Sequence, residues 1–223
     1  MIELNNSGLS LYLDDELRLR SNNDIFIPQP QIRMASELKE VLLDNLNEDK
    51  ELYFMYRGIH RNQDKRLFEN FKLRYDITII PPNKLSREFV KTLGHKHSSG
   101  EVYEVLNGKA IYLMQNNKKI ISTEVESWGL MYILRDYEHI TINPSNEVLV
   151  MSNIIKSDVT SNYESIKLKK GMSYFLIEEN SEKRFIPNQN YSNIELKRSK
   201  QSNFLKTPLY TSFLANPEYF SYL

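Results

Sequence analysis

The residues with the clearest chemical potential lie at His95-Lys96-His97, followed at a distance of four by Glu101. The chain has only four histidines, His60, His95, His97 and His139. Residues i and i+2 of an extended segment project to the same face, so His95 and His97 present two imidazoles side by side. Ser98-Ser99-Gly100 lets the chain turn, and Glu101 then returns a carboxylate from the next strand. Neutral imidazoles with a carboxylate make a metal site that keeps positions open for substrate or water. His139 is the candidate fourth ligand. It opens the alternating segment His139-Ile140-Thr141-Ile142-Asn143. His60, in the polar stretch Arg57-Gly58-Ile59-His60-Arg61-Asn62, has no such setting. Three imidazoles and one carboxylate suit a divalent transition metal, Fe, Mn, Ni or Zn, and disfavour Mg or Ca.

Strand parity sorts the nearby carboxylates. Glu101, Tyr103 and Val105 share one face, and Val102, Glu104 and Leu106 the other. If Glu101 points inward, Glu104 points outward and is expected to be solvated or paired with a loop. Tyr103 then lies in the cavity beside Glu101, or serves as a core aromatic with its hydroxyl bonded.

The elements that must position these residues are read from periodicity. Segments 52–59, 75–81, 88–93, 101–107, 110–115, 119–125, 130–135, 139–143, 147–155, 172–178 and 183–186 are short, rich in Ile, Val, Tyr and Leu, and separated by turn residues. Asn107-Gly108 and Asn116-Asn117 read as hairpin turns. Many short strands without interleaved helices indicate a mostly β antiparallel barrel or double-sheet jelly roll. Leu9–Leu13 and Ile25–Ile27 are further extended candidates. Leu38, Val41, Leu42 and Leu46 repeat near the helical period and predict an amphipathic helix over 35–47, packed on the main body. The expected organisation is an N-terminal strand and helix segment (1–50), a barrel (51–188) and a C-terminal extension (189–223). Phe204, Tyr210, Phe213, Tyr219, Phe220 and Tyr222 imply that the extension docks, on its own barrel or on a second subunit.

Composition narrows the function classes. Lys plus Arg equals Asp plus Glu, 29 each, so no global field draws the chain to nucleic acid or to an anionic membrane. No cysteine is present, which excludes disulfides, zinc–thiolate sites and iron–sulfur clusters and fits a reducing cytoplasm. The amino terminus lacks the basic and apolar regions of a signal peptide. No apolar run reaches the length of a membrane helix.

Gly94-His95-Lys96-His97, Glu101 and Gly108 at their spacing resemble the first cupin motif, and His139 with Asn143 resembles the end of the second. The longer string from Arg87 to His97, followed by Glu101-Val102-Tyr103, resembles the cupin-type glucose-6-phosphate isomerases of archaea and some bacteria. The likeness runs from Thr78-Ile79-Ile80-Pro81-Pro82 to Leu176-Ile177-Glu178-Glu179-Asn180 and covers roughly residues 8–188. The resemblance implies a cupin double-stranded β-helix and a metal on His95, His97, Glu101 and His139. It implies a phosphosugar substrate interconverted between aldose and ketose, and a homodimer. By the same likeness Thr78, Thr92 and Gly94 hold the sugar phosphate, Tyr103 lines the substrate site, and Tyr53 (or Tyr56) joins it. Glu101 is the implied base, with Tyr103 as proton relay; a hydride shift from C2 to C1 is the alternative route. The sequence departs from the family in two places. No Pro or Gly precedes His139, and Ile155 and Ser161 stand where the family has a Tyr and a His, with Tyr163 as the nearby substitute. Two other readings stay open: a non-catalytic sugar-phosphate-binding cupin and an Fe(II) cupin oxygenase.

Overall fold

A computed structural model describes residues 1–46, 48–192, 194–200 and 206–223. The centre is a six-stranded antiparallel sheet. Its order across is Leu130–Ile133, Glu101–Asn107, Leu149–Lys156, Leu73–Ile80, Glu51–Arg57 and Gln31–Met34. Facing it are two four-stranded sheets. One runs Glu138–Ile142, Lys109–Gln115, Ile120–Glu126, Leu196–Lys200; the other runs Glu182–Pro187, Tyr174–Glu179, Glu88–Phe89, Lys84–Leu85. The double-sheet jelly roll expected from the strand pattern is therefore present.

Alternation assigns the two faces of the central sheet to two different cores. Tyr103, Val105, Met151 and Ile80 point between the sheets, joining Tyr112 and Met114 from the opposite side. Tyr75, Ile77, Ile79, Val102, Leu106 and Ile154 point the other way into a second core. Residues of the chain's two ends cover that second core: Leu4, Leu11 and Leu13 from one, Leu209, Tyr210 and Phe213 from the other. With both faces covered, strands such as Leu73–Ile80 are buried almost throughout.

Several local expectations are corrected. The helix expected over 35–47 is helical only at Ala35–Leu38, continues as one 3-10 turn at Lys39–Val41, and becomes extended at Leu42; residue 47 lies outside the described residues. The buried Glu88–Lys91 pair explains the break. Lys91 Nζ donates to the Val41 carbonyl at 2.8 Å and the Leu43 N–H donates to Glu88 Oε2 at 3.1 Å, which removes both groups from a helical ladder. Asn107-Gly108 is not a hairpin turn but the corner where the chain leaves the central sheet for the facing one. Gly108 has φ +77°, and a Cβ there would sit 2.8 Å from the Val148 carbonyl. Asn116-Asn117 does join a hairpin, in which Asn116 Oδ1 accepts the N–H groups of Lys118 and Lys119. Short helices at Lys65–Phe71 and Glu164–Leu168 were not legible as such.

The C-terminal extension docks on its own chain. Leu196–Lys200 adds to the Ile120–Glu126 strand in parallel, and the helix Leu209–Ala215 packs on the outer face of the central sheet. Phe213 stacks on Phe68 at 4.4 Å, and Tyr210 meets Tyr75 edge-on at 5.1 Å. Phe204 lies outside the described residues, while Tyr219 and Tyr222 are exposed.

Candidate metal centre

The His95–His97 segment is not a regular strand but is fixed by isolated bridges. The His139 N–H donates to the His95 carbonyl at 2.9 Å and the His95 N–H returns to the His139 carbonyl at 3.3 Å. That reciprocal pair carries two of the four candidate ligands into contact, with ring centroids 4.4 Å apart. The turn through Ser99-Gly100 then delivers Glu101 on the central sheet, as the spacing predicts. One ligand atom from each of His95, His97, Glu101 and His139 lies within 4.8 Å of all the others.

The orientation of each group fits a cation. His97 Nδ1–H donates to the Ser99 carbonyl at 2.7 Å and His139 Nδ1–H to the Tyr137 carbonyl at 3.2 Å, leaving both Nε2 lone pairs to face inward. Glu101 Oε2 stands 3.1 Å from His97 Nε2 and 3.5 Å from His139 Nε2. Asn153 Nδ2 donates to Glu101 Oε1 at 2.7 Å and so sets the carboxylate plane. His139 Nε2 is buried and has no hydrogen-bond partner among the described residues. An orphaned buried nitrogen is costly unless something else engages it, and a metal ion would.

Electrostatics agree. Burial, with His139 alongside, pushes the His95 imidazole well below its ordinary range, toward the neutral form a ligand needs. Burial alone would raise the Glu101 carboxyl; the His139 and His97 rings beside it outweigh burial and hold it well below the usual range. For His97, burial would lower the imidazole, but the Glu101 carboxylate beside it prevails and raises it.

A narrow cavity opens over the centre. Thr78, Thr92, Tyr53, Tyr103 and Tyr163 all line it, together with His95, Glu101 and His139. Tyr53 is buried and its hydroxyl accepts the Leu93 N–H at 3.0 Å. The competing Tyr56 turns to the other core, where its hydroxyl accepts the Leu19 N–H at 3.1 Å. Tyr163 stacks on His95 at 5.6 Å. Gly94 is not among the lining residues. Its φ is +85°, and a Cβ would sit 2.7 Å from Ile140 Cγ2, so glycine is required there by packing and conformation. Ile155 and Ser161 also line the cavity. His60 is remote and stacks on Phe26 at 5.0 Å.

The outward parity of Glu104 holds, but its expected solvation does not. Glu104 is fully buried, because the C-terminal helix covers that face: the Leu209 N–H donates to Glu104 Oε2 at 3.0 Å. Burial pushes its carboxyl up to about 8. The sequence reading also missed Asn153, Arg33, Arg57, Arg74 and Asp76 at the cavity. Their signal was parity. Arg74, Asp76 and Thr78 alternate along one strand, as do Tyr53, Met55 and Arg57 along the next, each placing charge on an inward face.

Comparison with known proteins adds the lineage. The chain is 29% identical over 169 residues to a glucose-6-phosphate isomerase of Thermococcus onnurineus (strain NA1), covering 70% of this chain and 85% of that protein. It is 33% identical over 122 residues to the glucose-6-phosphate isomerase of Pyrococcus furiosus, covering 52% and 63%. Among solved structures, a vicilin of Corylus avellana (hazelnut) superposes with a TM-score of 0.45 at 18% identity, over 63% of this chain and 36% of that one. The family model described as Glucose-6-phosphate isomerase (GPI) matches residues 32–194, well over half of the 223 residues. The chain belongs to the glucose-6-phosphate isomerase (GPI) family.

Proposed function

We propose that the chain is a metal-dependent isomerase interconverting glucose 6-phosphate and fructose 6-phosphate, using one divalent transition metal. The observation that carries the metal is the convergence of His95, His97, Glu101 and His139 within 4.8 Å, with the His139 Nε2 buried and unpartnered. The family supports the isomerase chemistry. Imidazole with carboxylate suits Fe(II), Mn(II), Ni(II) or Zn(II).

The reaction moves hydrogen between C2 and C1 of the sugar and a proton between O1 and O2. It needs a base and a means of stabilising charge that develops on those oxygens. When bound, the metal supplies positive charge beside them. Glu101 takes the C2 proton and returns it to C1, its plane set by Asn153. Tyr103, buried in the cavity wall two residues from Glu101 on the same strand face, relays the oxygen-bound proton. Thr78 and Thr92 hold the phosphate by hydroxyl donation. Thr92 Oγ1 already accepts the Thr141 N–H at 3.0 Å, so its own proton is free to point at the ligand.

Turnover of fructose 6-phosphate in a coupled assay tests the reading. We expect activity that is lost on chelation and regained with a divalent transition metal, and solvent deuterium at C1 or C2 of the product when the reaction runs in deuterated water. Turnover that resists chelation overturns the metal dependence; product free of deuterium assigns a hydride shift in place of the Glu101 base.

A further inference from the structure

The two threonines are neutral, yet a phosphate monoester carries close to two negative charges. The cavity wall holds a cation without an ion-pair partner among the described residues. The central sheet sets a lateral row across four strands: Arg57 opposite Asp76, Asp76 opposite Asn153, and Asn153 opposite Tyr103. Arg74 lies two residues from Asp76 on the same face and is held by an ion pair and backbone carbonyls. Its Nε donates to Asp76 Oδ2 at 2.8 Å, and its Nη1 donates to the Lys156 and Ser157 carbonyls at 3.2 and 3.0 Å. Asp76 is engaged too, since its Oδ1 accepts the Gly58 N–H at 2.8 Å.

Arg57 is different. It faces Asp76 in register but makes no ion pair among the described residues, and its hydrogen bond is a long one, Nη2 to Met55 Sδ at 3.6 Å. Its Nε is buried without a partner. Arg33, the third arginine of the wall, shares the buried Nε without a partner but is ion-paired with Glu37 at 2.6 Å. A guanidinium lining a cavity, half-buried and in no direct ion pair, leaves positive charge available at the cavity wall.

We infer that Arg57 is the phosphate-anchoring residue of this site, its guanidinium fork gripping the anion that the hydroxyl of Thr78 also reaches. Thr78 is opposite Met55, two residues before Arg57 on the same face, and is thus a diagonal neighbour within reach of a long side chain. Arg57 lies three strands from Tyr103, a backbone separation of about 14 Å, which the arginine side chain and an extended sugar phosphate together bridge to the metal ligands. The lengthwise order is therefore phosphate at Arg57 and the C1–C2 end at Glu101. Ile155, opposite Arg74 on the neighbouring strand, adds no charge to the wall. The phosphate's charge partner thus comes from the far strand and not from the positions of Ile155 and Ser161.

The sugar's identity rests on the isomerase reading; the anion site does not. The test uses the full chain as purified, with inorganic phosphate in calorimetry and fructose 6-phosphate in the coupled assay. For Arg57→Ala we expect phosphate affinity and kcat/KM each to fall about 10- to 100-fold, the range for a charge-assisted hydrogen-bonded pair. Arg57→Lys recovers part of both, since it keeps the charge and loses the fork. The melting temperature of Arg57→Ala without ligand stays at the wild-type value, whereas phosphate raises it far more for wild type than for Arg57→Ala. If Ala lowers the ligand-free melting temperature, the Lys variant decides, with weakened phosphate binding in an intact fold. Phosphate binding by Arg57→Ala within about twofold of wild type overturns the inference, as does a wild type that binds no phosphate. Wild type that binds phosphate through Arg57 but does not isomerise leaves the anion site standing and ends the isomerase reading.

Discussion

Glu101→Gln is expected to strip the protein of metal and lower kcat/KM for fructose 6-phosphate by at least about 1000-fold, equivalent to ~4 kcal/mol of transition-state stabilisation. The change is isosteric, so the loss is chemical. Glu101 supplies the one negative charge of the ligand group, and its two oxygens have different duties: Oε1 accepts from Asn153 Nδ2 and Oε2 faces His97 and His139. An amide cannot perform both. If its oxygen stays on Asn153, its NH2 points at the two Nε2 lone pairs and consumes them as acceptors. If it flips, NH2 opposes NH2 at Asn153. Either way the cation loses its place. Elemental analysis and the coupled assay read the result; a variant retaining metal and turnover within about threefold of wild type contradicts the assigned roles.

Glu104→Gln, three residues on, is expected to leave metal content and turnover intact and to change stability in a pH-dependent way. Glu104 accepts the Leu209 N–H through Oε2, while Oε1 is buried without a partner. Its folded pKa of about 8 exceeds the unfolded value of 4.5. Below the lower value both states hold the proton and the charge question vanishes. Between the two values the folded state keeps a proton the unfolded chain releases, so wild-type stability falls as pH rises, by ~1 kcal/mol per pH unit. Above about 8 the penalty is complete, a few kcal/mol in all. Glutamine carries no proton to lose. The stability difference between Glu104→Gln and wild type should therefore be small at pH 5, grow steadily toward pH 8 and level off beyond it, as read by denaturant unfolding at each pH. A difference independent of pH contradicts the burial of an ionisable group under the C-terminal helix.

These two carboxylates also measure what the sequence could show. Parity along Glu101–Asn107 separated them correctly, because a strand has only two faces. Parity does not tell whether the second face meets water, and here the helix Leu209–Ala215 covers it. That docking depends on contacts such as Phe213 with Phe68, remote in sequence and linked by no local period. The strand framework was legible because short apolar alternations dominate it, and His95, His97, Glu101 and His139 were legible because few residues and tight spacing name them. The helix expected over 35–47 failed because Glu88 and Lys91, far along the chain, seize the backbone groups of Leu43 and Val41. Asn153 and Arg57 were present as inward polar positions in apolar strands. Only strand order, which sets Arg57, Asp76, Asn153 and Tyr103 in one row, gives them partners.

The most direct measurement is the metal content of the purified full chain, before and after incubation with Fe(II), Mn(II), Ni(II) or Zn(II), beside a His139→Ala variant. One bound ion per chain, lost in the variant, is what convergence of His95, His97, Glu101 and His139 within 4.8 Å predicts. A wild type that takes up no transition metal, or a His139→Ala protein that holds as much as wild type, contradicts it.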